Sequence, residues 1–181
     1  MAEYAYCGSW NAKTRKPLAG EAWLSPEEPR SRYEGSVPAQ FSVVDAGSTT
    51  PGTVSPFVIV FSKSLESLGV RAKFFNSAGS EWRAIDYKYI DGRLFKWIVR
   101  EQTYPDDENY YKFDGATSYR EATFLPDGRG SLGVDNKKPG EQPVLAEFRD
   151  IPVESYWLDV PAFGDWDQLA DPNFGDTSAA Q

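Results

Sequence analysis

Histidine is absent from this sequence and cysteine occurs once, at Cys7. Those two shortages exclude a histidine-based catalytic triad, a Cys/His zinc site, a CxxC redox pair and an intramolecular disulfide. Basic charge is also scarce. With 19 Lys+Arg against 27 Asp+Glu the net charge is −8 at pH 7, so the chain as a whole offers no phosphate-neutralising surface and nucleic acid is not an expected partner. The longest apolar run, Phe57-Val58-Ile59-Val60-Phe61, falls far short of the roughly 20 residues that span a bilayer, so no membrane partner is expected either. Met1-Ala2-Glu3-Tyr4 places an acid where a secretion signal carries basic charge, and Asn-x-Ser/Thr does not occur. The expectation is a soluble, cytoplasmic protein.

Pattern-level signs of a cofactor are missing too. Asp106-Asp107-Glu108 follows Pro105 in a solvated turn and lacks the alternating acids and glycine of a calcium loop. Gly128-Arg129-Gly130 has none of the spacing of a phosphate-cradling loop and reads as a hairpin turn. The expectation is therefore no cofactor and no metal. Proton transfer, where there is any, falls to Asp, Glu, Lys, Tyr or Cys7.

What the chain has in plenty is strand signal. Thirteen Pro and 15 Gly are scattered so that few helical windows escape a breaker. Residues 82–90 and 93–100 alternate in polarity around Asp91-Gly92, a dipeptide suited to a type I′ hairpin turn because both positions need positive φ. Val70 to Asn76 meets Trp82 through Ser77-Ala78-Gly79-Ser80, and Thr117 to Leu125 meets Gly130 to Asp135 through Pro126-Asp127-Gly128-Arg129. With Glu3–Trp10, Ala19–Leu24, Val37–Val44, Phe57–Ser62 and Pro143–Ile151, about ten strands are expected, joined by short turns. The fold class read from this pattern is all-β: an antiparallel up-and-down barrel, lipocalin-like, with a Greek-key sandwich as the alternative. Residues 45–55 are expected as a loop, either over the barrel mouth or as an inert connection.

Charge divides the chain unevenly. After residue 149 there are seven acids, no Lys and no Arg, which leaves residues 1–149 at 19 cations against 20 acids. Tyr156, Trp157, Phe163, Trp166 and Phe174 are interleaved with those acids, and Phe-Gly-Asp occurs at 163–165 and 174–176. A purely solvating tail would lack such aromatics. The expected organisation is thus a β-barrel domain over residues 1–154 and an acidic aromatic tail over 155–181, packed on the barrel or on a partner. A homodimer or a basic protein partner would engage that tail.

Tyr4, Tyr6, Gly8 and Trp10 share one strand face at period 2. Directed inward, two phenols would need partners or ligand oxygens; directed outward they are surface aromatics. Arg32 adds a fork suited to a carboxylate. Cys7, on the opposite face, reads as a small buried residue. The spacing Tyr4-x-Tyr6-x-x-x-Trp10, followed 22 residues later by Arg32-x-x-Gly35, resembles the opening of the bacterial phenolic acid decarboxylases, which are small cofactor-free lipocalin-like barrels. Phe124-x-Pro126-Asp127 is similar to a hairpin of that family, and Gly8-Ser9-Trp10 to the Gly-x-Trp of lipocalins. The resemblance implies that Tyr4, Tyr6 and Arg32 hold the polar ends of a substrate while an acid delivers a proton to an alkene carbon. The strand at residues 57–62 carries no acid, and Asp91 matches only across a long insertion.

The catalytic candidates are therefore Tyr4, Tyr6, Arg32 and Asp91, and the ligand-binding candidates Trp10, Tyr89, Trp97, Tyr119 and Glu121. Cross-strand ion pairing on an outer surface is the other account of the last two. Two function classes follow. One is a barrel binding a small, partly aromatic organic molecule, with or without cofactor-free lyase, isomerase or cyclase chemistry by Tyr, Arg and an acid. The other is a non-catalytic interaction protein of immunity or adaptor type using the acidic tail, or a structural assembly subunit.

Overall fold

The computed structural model describes residues 3–18, 22–50 and 52–176. Its frame is one antiparallel sheet. The strands are β1 (Tyr4–Cys7), β2 (Trp10–Asn11), β3 (Lys16–Pro17), β4 (Trp23–Leu24), β5 (Ala39–Asp45), β6 (Phe57–Lys63), β7 (Leu68–Phe75), β8 (Glu81–Ile90), β9 (Arg93–Thr103), β10 (Ser118–Phe124), β11 (Gly130–Asp135), β12 (Val144–Phe148) and β13 (Trp157–Asp159). From β12 back to β5 the strands pair in reverse chain order, and the sheet continues through β1 to β4. β2 and β3 form a separate two-stranded ribbon, and no described helix is long and apolar enough to cross a membrane.

The meander follows from the turn chemistry. Asp91 and Gly92 both have positive φ, 47° and 86°, as a tight β8–β9 hairpin requires. At the β10–β11 turn the Gly128 N–H donates to the Leu125 carbonyl and the Leu125 N–H to the Arg129 carbonyl. That is a three-residue loop closed by a left-handed glycine, Gly128 at φ 79°.

The barrel expected from strand count is not what the hydrogen-bonded ladder forms. β12 and β4 end the sheet and do not pair with each other among the described residues. A second layer comes instead from the C-terminal segment. β13 adds to β9 at Arg93–Phe95, beyond the stretch of β9 that pairs with β10. Trp166 and Leu169, both fully buried, then join Phe41, Ile59, Phe61, Val70, Ile85 and Leu94 in the main core. The Phe-Gly-Asp repeat is a repeated turn. Asp165 N–H donates to the Ala162 carbonyl and Asp176 N–H to the Asn173 carbonyl, with Gly164 and Gly175 at positive φ. Each turn presents its phenylalanine to a sheet tyrosine: Phe163 to Tyr6 at 5.3 Å and Phe174 to Tyr87 at 6.0 Å between ring centroids.

Three local expectations change. The strand expected over Glu3–Trp10 stops at Cys7, the chain bends at Gly8-Ser9, and Trp10 enters the β2–β3 ribbon. Trp10 then packs with Val44, Val58 and Phe75 on the face opposite Tyr4 and Tyr6. Of the strand expected over Ala19–Leu24, β4 is present, and residues 19–21 lie outside the described residues. A helix, α1 (Glu27–Glu34), forms where none was expected. Its proline, Pro29, falls in the first turn, where the missing N–H breaks no helical bond. Part of the 45–55 loop is a 3-10 turn, Ala46–Thr49, with Ser48 buried.

Candidate functional site

The face that carries Tyr4 and Tyr6 is occupied by the chain itself. Tyr4 donates its hydroxyl hydrogen bond to Asp167, and Tyr6 Oη accepts from Trp166 Nε1 at 3.3 Å. Tyr33 sits edge-on to Phe61 and Trp166 and donates to the Pro161 carbonyl at 2.8 Å. Burial pushes the Tyr33 phenol up to about 12; burial, with Asp167 beside it, also raises that of Tyr4. Arg32, on α1, holds Glu28 at 2.6 Å and the Gln40 carbonyl at 3.0 Å. Asp91 is an exposed turn residue on the β8–β9 hairpin. β1 and β8 are separated by β5, β6 and β7, about 19 Å at ordinary strand spacing. Tyr4, Tyr6, Arg32 and Asp91 are thus not gathered at one open site. Tyr89, partly exposed, lines a different hollow of ≈ 400 Å³ with Tyr33, Leu65 and Val160.

The opposite face is built differently. Register places Arg71 across from Asp86, and Arg100 across from Glu121. Arg71 grips Asp86 with Nε and with Nη2, the latter at 2.9 Å. Arg100 reaches the same carboxylate with Nη1 and Glu121 with Nε at 2.8 Å, and Tyr119 donates to Glu121 at 2.7 Å. The network therefore runs across β7, β8, β9 and β10. Burial alone would raise the Asp86 carboxyl, but hydrogen bonds and charge from the two guanidiniums outweigh it and hold the group below its ordinary value. The Tyr119 phenol, by burial and its bond to Glu121, is pushed up to about 12.

Beside this network lies a groove of ≈ 390 Å³, lined by Val60, Ser62, Gly69, Arg71, Lys73, Asp86 and Trp97 among others. Its key residue is delivered by an irregularity. Between Asp86 and Tyr87 the β8–β9 register slips, so Asp86 faces Ile98 while Tyr87 faces Lys96, and Trp97 is the extra residue. A bulge re-aims a side chain. Lys96 turns into the core, where it meets the Phe174 carbonyl, while Trp97 lines the groove on the other side. Lys88 Nζ lies 5.3 Å from the Trp97 ring centroid. Gly69 contributes no side chain, so the groove stays open near Ser62. Arg71, its side chain 47 % exposed, leaves Nη1 without an acceptor among the described residues. A second hollow of ≈ 210 Å³, with Trp10, Ser42 and Val58 in its lining, shares Val60 and Lys73 with the first.

Of the sequence-derived ligand candidates, Trp10, Trp97, Tyr119 and Glu121 come together on this face. Arg71, Lys73, Asp86 and Arg100 were not singled out from the sequence. Alternation along β7 and β8 does place Arg71 with Lys73, and Ala84 with Asp86 and Lys88; which face would be open is a tertiary fact. Among the described residues no cluster of three or more acidic or Cys side chains could hold a metal ion. No family model, curated protein or solved structure matches the chain.

Proposed function

We propose that this protein binds a small, planar, negatively charged organic molecule in the groove between β6 and β9, its ring against Trp97 and its anionic group on Arg71 and on Lys73, whose ammonium holds Glu81 at 3.0 Å and keeps further donors for a ligand. The observation that carries this reading is the bulge that sets an indole beside a half-exposed guanidinium in a hollow of ≈ 390 Å³, a volume suited to a compact ligand. Asp86 fixes the Arg71 fork, so the guanidinium is oriented before the ligand arrives. Lys88, opposite Gly69 and 5.3 Å from the Trp97 ring centroid, adds positive potential at the indole end of the groove.

The reading is one of binding. A lyase or isomerase step needs a group that exchanges a proton near neutral pH. Asp86 is held ionised by its two arginines and Tyr119 stays protonated to about 12, so neither suits that role. The open sheet acts as a platform in this account, with the groove on one face and the C-terminal layer on the other.

Calorimetric titration with benzoate and hydroxycinnamate, each against its neutral amide, tests the proposal. The carboxylates are expected to bind and the amides at least about tenfold more weakly. Trp97→Ala and Arg71→Met should each weaken binding by about tenfold or more while the melting transition stays cooperative. Equal affinity for acid and amide, or unaltered binding in both variants, contradicts it.

A further inference from the structure

β12 ends the sheet with an unprotected apolar edge. Val144, Leu145 and Phe148 are 63 %, 72 % and 45 % exposed, and among the described residues β12 pairs only with β11. Hydrogen-bond parity can be followed to that edge. Leu125 and Arg129 share a bonded pair, and in an antiparallel ladder bonded and non-bonded pairs alternate. Thr123–Ser131 and Glu121–Gly133 are then bonded pairs of β10 and β11. Gly130, Leu132 and Val134 consequently turn their backbone groups toward Phe148, Ala146 and Val144 of β12. Leu145 and Glu147 are left pointing N–H and C=O away from the sheet. Natural edges of this kind are blunted by charge, proline or a cover; here Pro143 and Glu147 are the only such residues between 143 and 148.

We infer that β12 is the self-association edge of this protein, pairing antiparallel with β12 of a second copy about a two-fold axis through Ala146. The chain's own residues select that register. Pairing Leu145 with Leu145 of the partner subunit would set Pro143, which has no N–H, against Glu147 inside the strand, whereas a two-fold at Ala146 moves Pro143 out to Arg149, past the strand's end. Pairing Glu147 with Glu147 of the partner subunit would oppose like charges. Sliding further would need the Ile151 N–H, which already bonds the Gly128 carbonyl. In the remaining register Leu145 exchanges both backbone bonds with Glu147 of the partner subunit, and the Arg149 N–H meets the Pro143 carbonyl. Val144 covers Phe148 of the partner subunit, and two alanines meet at the axis, where a non-bonded pair brings side chains closest. An isologous contact of this form closes as a dimer.

Sedimentation velocity on the full chain from about 1 to 100 μM, with three variants, tests the inference. Wild type is expected to show concentration-dependent dimer. Glu147→Pro removes an N–H that β11 does not use, so it should stay folded by circular dichroism while the dimer dissociation constant rises at least about tenfold. Under mild oxidation Ala146→Cys should cross-link two chains and Leu145→Cys should not, since the disulfide forms across the close non-bonded pair. The single natural cysteine, Cys7, is buried and does not confuse the readout. A monomer throughout the range, a dimer unaffected by Glu147→Pro, or cross-linking by Leu145→Cys and not Ala146→Cys overturns it. If Glu147→Pro fails to fold, the cross-linking pair decides alone.

Discussion

Lys96 is almost wholly enclosed, and its ammonium lies 2.5 Å from the Asp176 carboxylate and 2.7 Å from the Phe174 carbonyl. Eighty residues apart in sequence, these groups tie the end of the chain to the centre of the sheet. Arg83 shares the same carboxylate at 2.7 Å. Burial lowers the Lys96 pKa, and Asp176 opposes that fall. Asp176→Asn should therefore cost about 2 kcal/mol, less than a fully buried pair because Asp176 is partly exposed. In a double-mutant cycle with Lys96→Met the two changes should couple by about 1 kcal/mol or more, read from urea unfolding. Strict additivity would mean that the pair does not hold the segment.

The C-terminal layer should be indispensable to folding. Removing residues 155–181 takes Trp166, Leu169 and Leu158 out of the core and uncovers Phe41 and Phe61. The truncated chain is expected to lose cooperative melting and to bind a hydrophobic dye. Trp166→Ala alone should cost about 3–5 kcal/mol. A truncated chain that melts like wild type contradicts the role of this layer.

The two Phe-Gly-Asp turns differ in what a methyl group would meet. At Gly164, φ 98°, nothing lies within 4 Å of an added Cβ, so Gly164→Ala carries only the backbone penalty, about 1–2 kcal/mol. At Gly175, φ 71°, the Cβ would stand 2.7 Å from the Ser155 carbonyl oxygen, a backbone atom. Gly175→Ala should be the more destabilising of the two in parallel thermal melts, and the reverse order would refute this turn geometry.

Acid should weaken the protein through Asp86. Its folded-state pKa lies below the ordinary 3.8, so the unfolded chain takes up this proton first as pH falls. The stabilisation is complete at neutral pH, above the unfolded value, and is lost as pH drops through the folded value. Wild type should exceed Asp86→Asn in urea midpoint at pH 7, with the gap closing below about pH 4. A gap constant down to pH 2 would show that Asp86 contributes no charge-dependent stability.

Much of the sheet could be read locally because its turns are local. Asp91-Gly92 and Pro126-Asp127-Gly128 dictate their own backbone, and the strands on either side alternate in polarity. The helix at Glu27–Glu34 is not legible in the sequence because Pro29 looks like a breaker unless the helix start is known. Closure into a barrel was not decidable from strand number, since the aromatic C-terminal segment supplies the layer that closure would otherwise provide. The site was legible only in pieces. Trp97, Tyr119 and Glu121 carry chemistry visible in their residue types, but one bulge sets which side Trp97 faces, and no residue-level pattern announces a bulge. Tyr4 and Tyr6 have the chemistry of a polar clamp, and Trp166 and Asp167, some 160 residues away, take up their hydroxyls.

The most direct test of the account is a crystal of the protein soaked with a brominated benzoate and examined by anomalous scattering. The bromine peak is expected over the Trp97 ring, with the carboxylate on Arg71 and Lys73. A peak beside Tyr4 and Tyr6, or none in crystals whose groove is open to solvent, would contradict it.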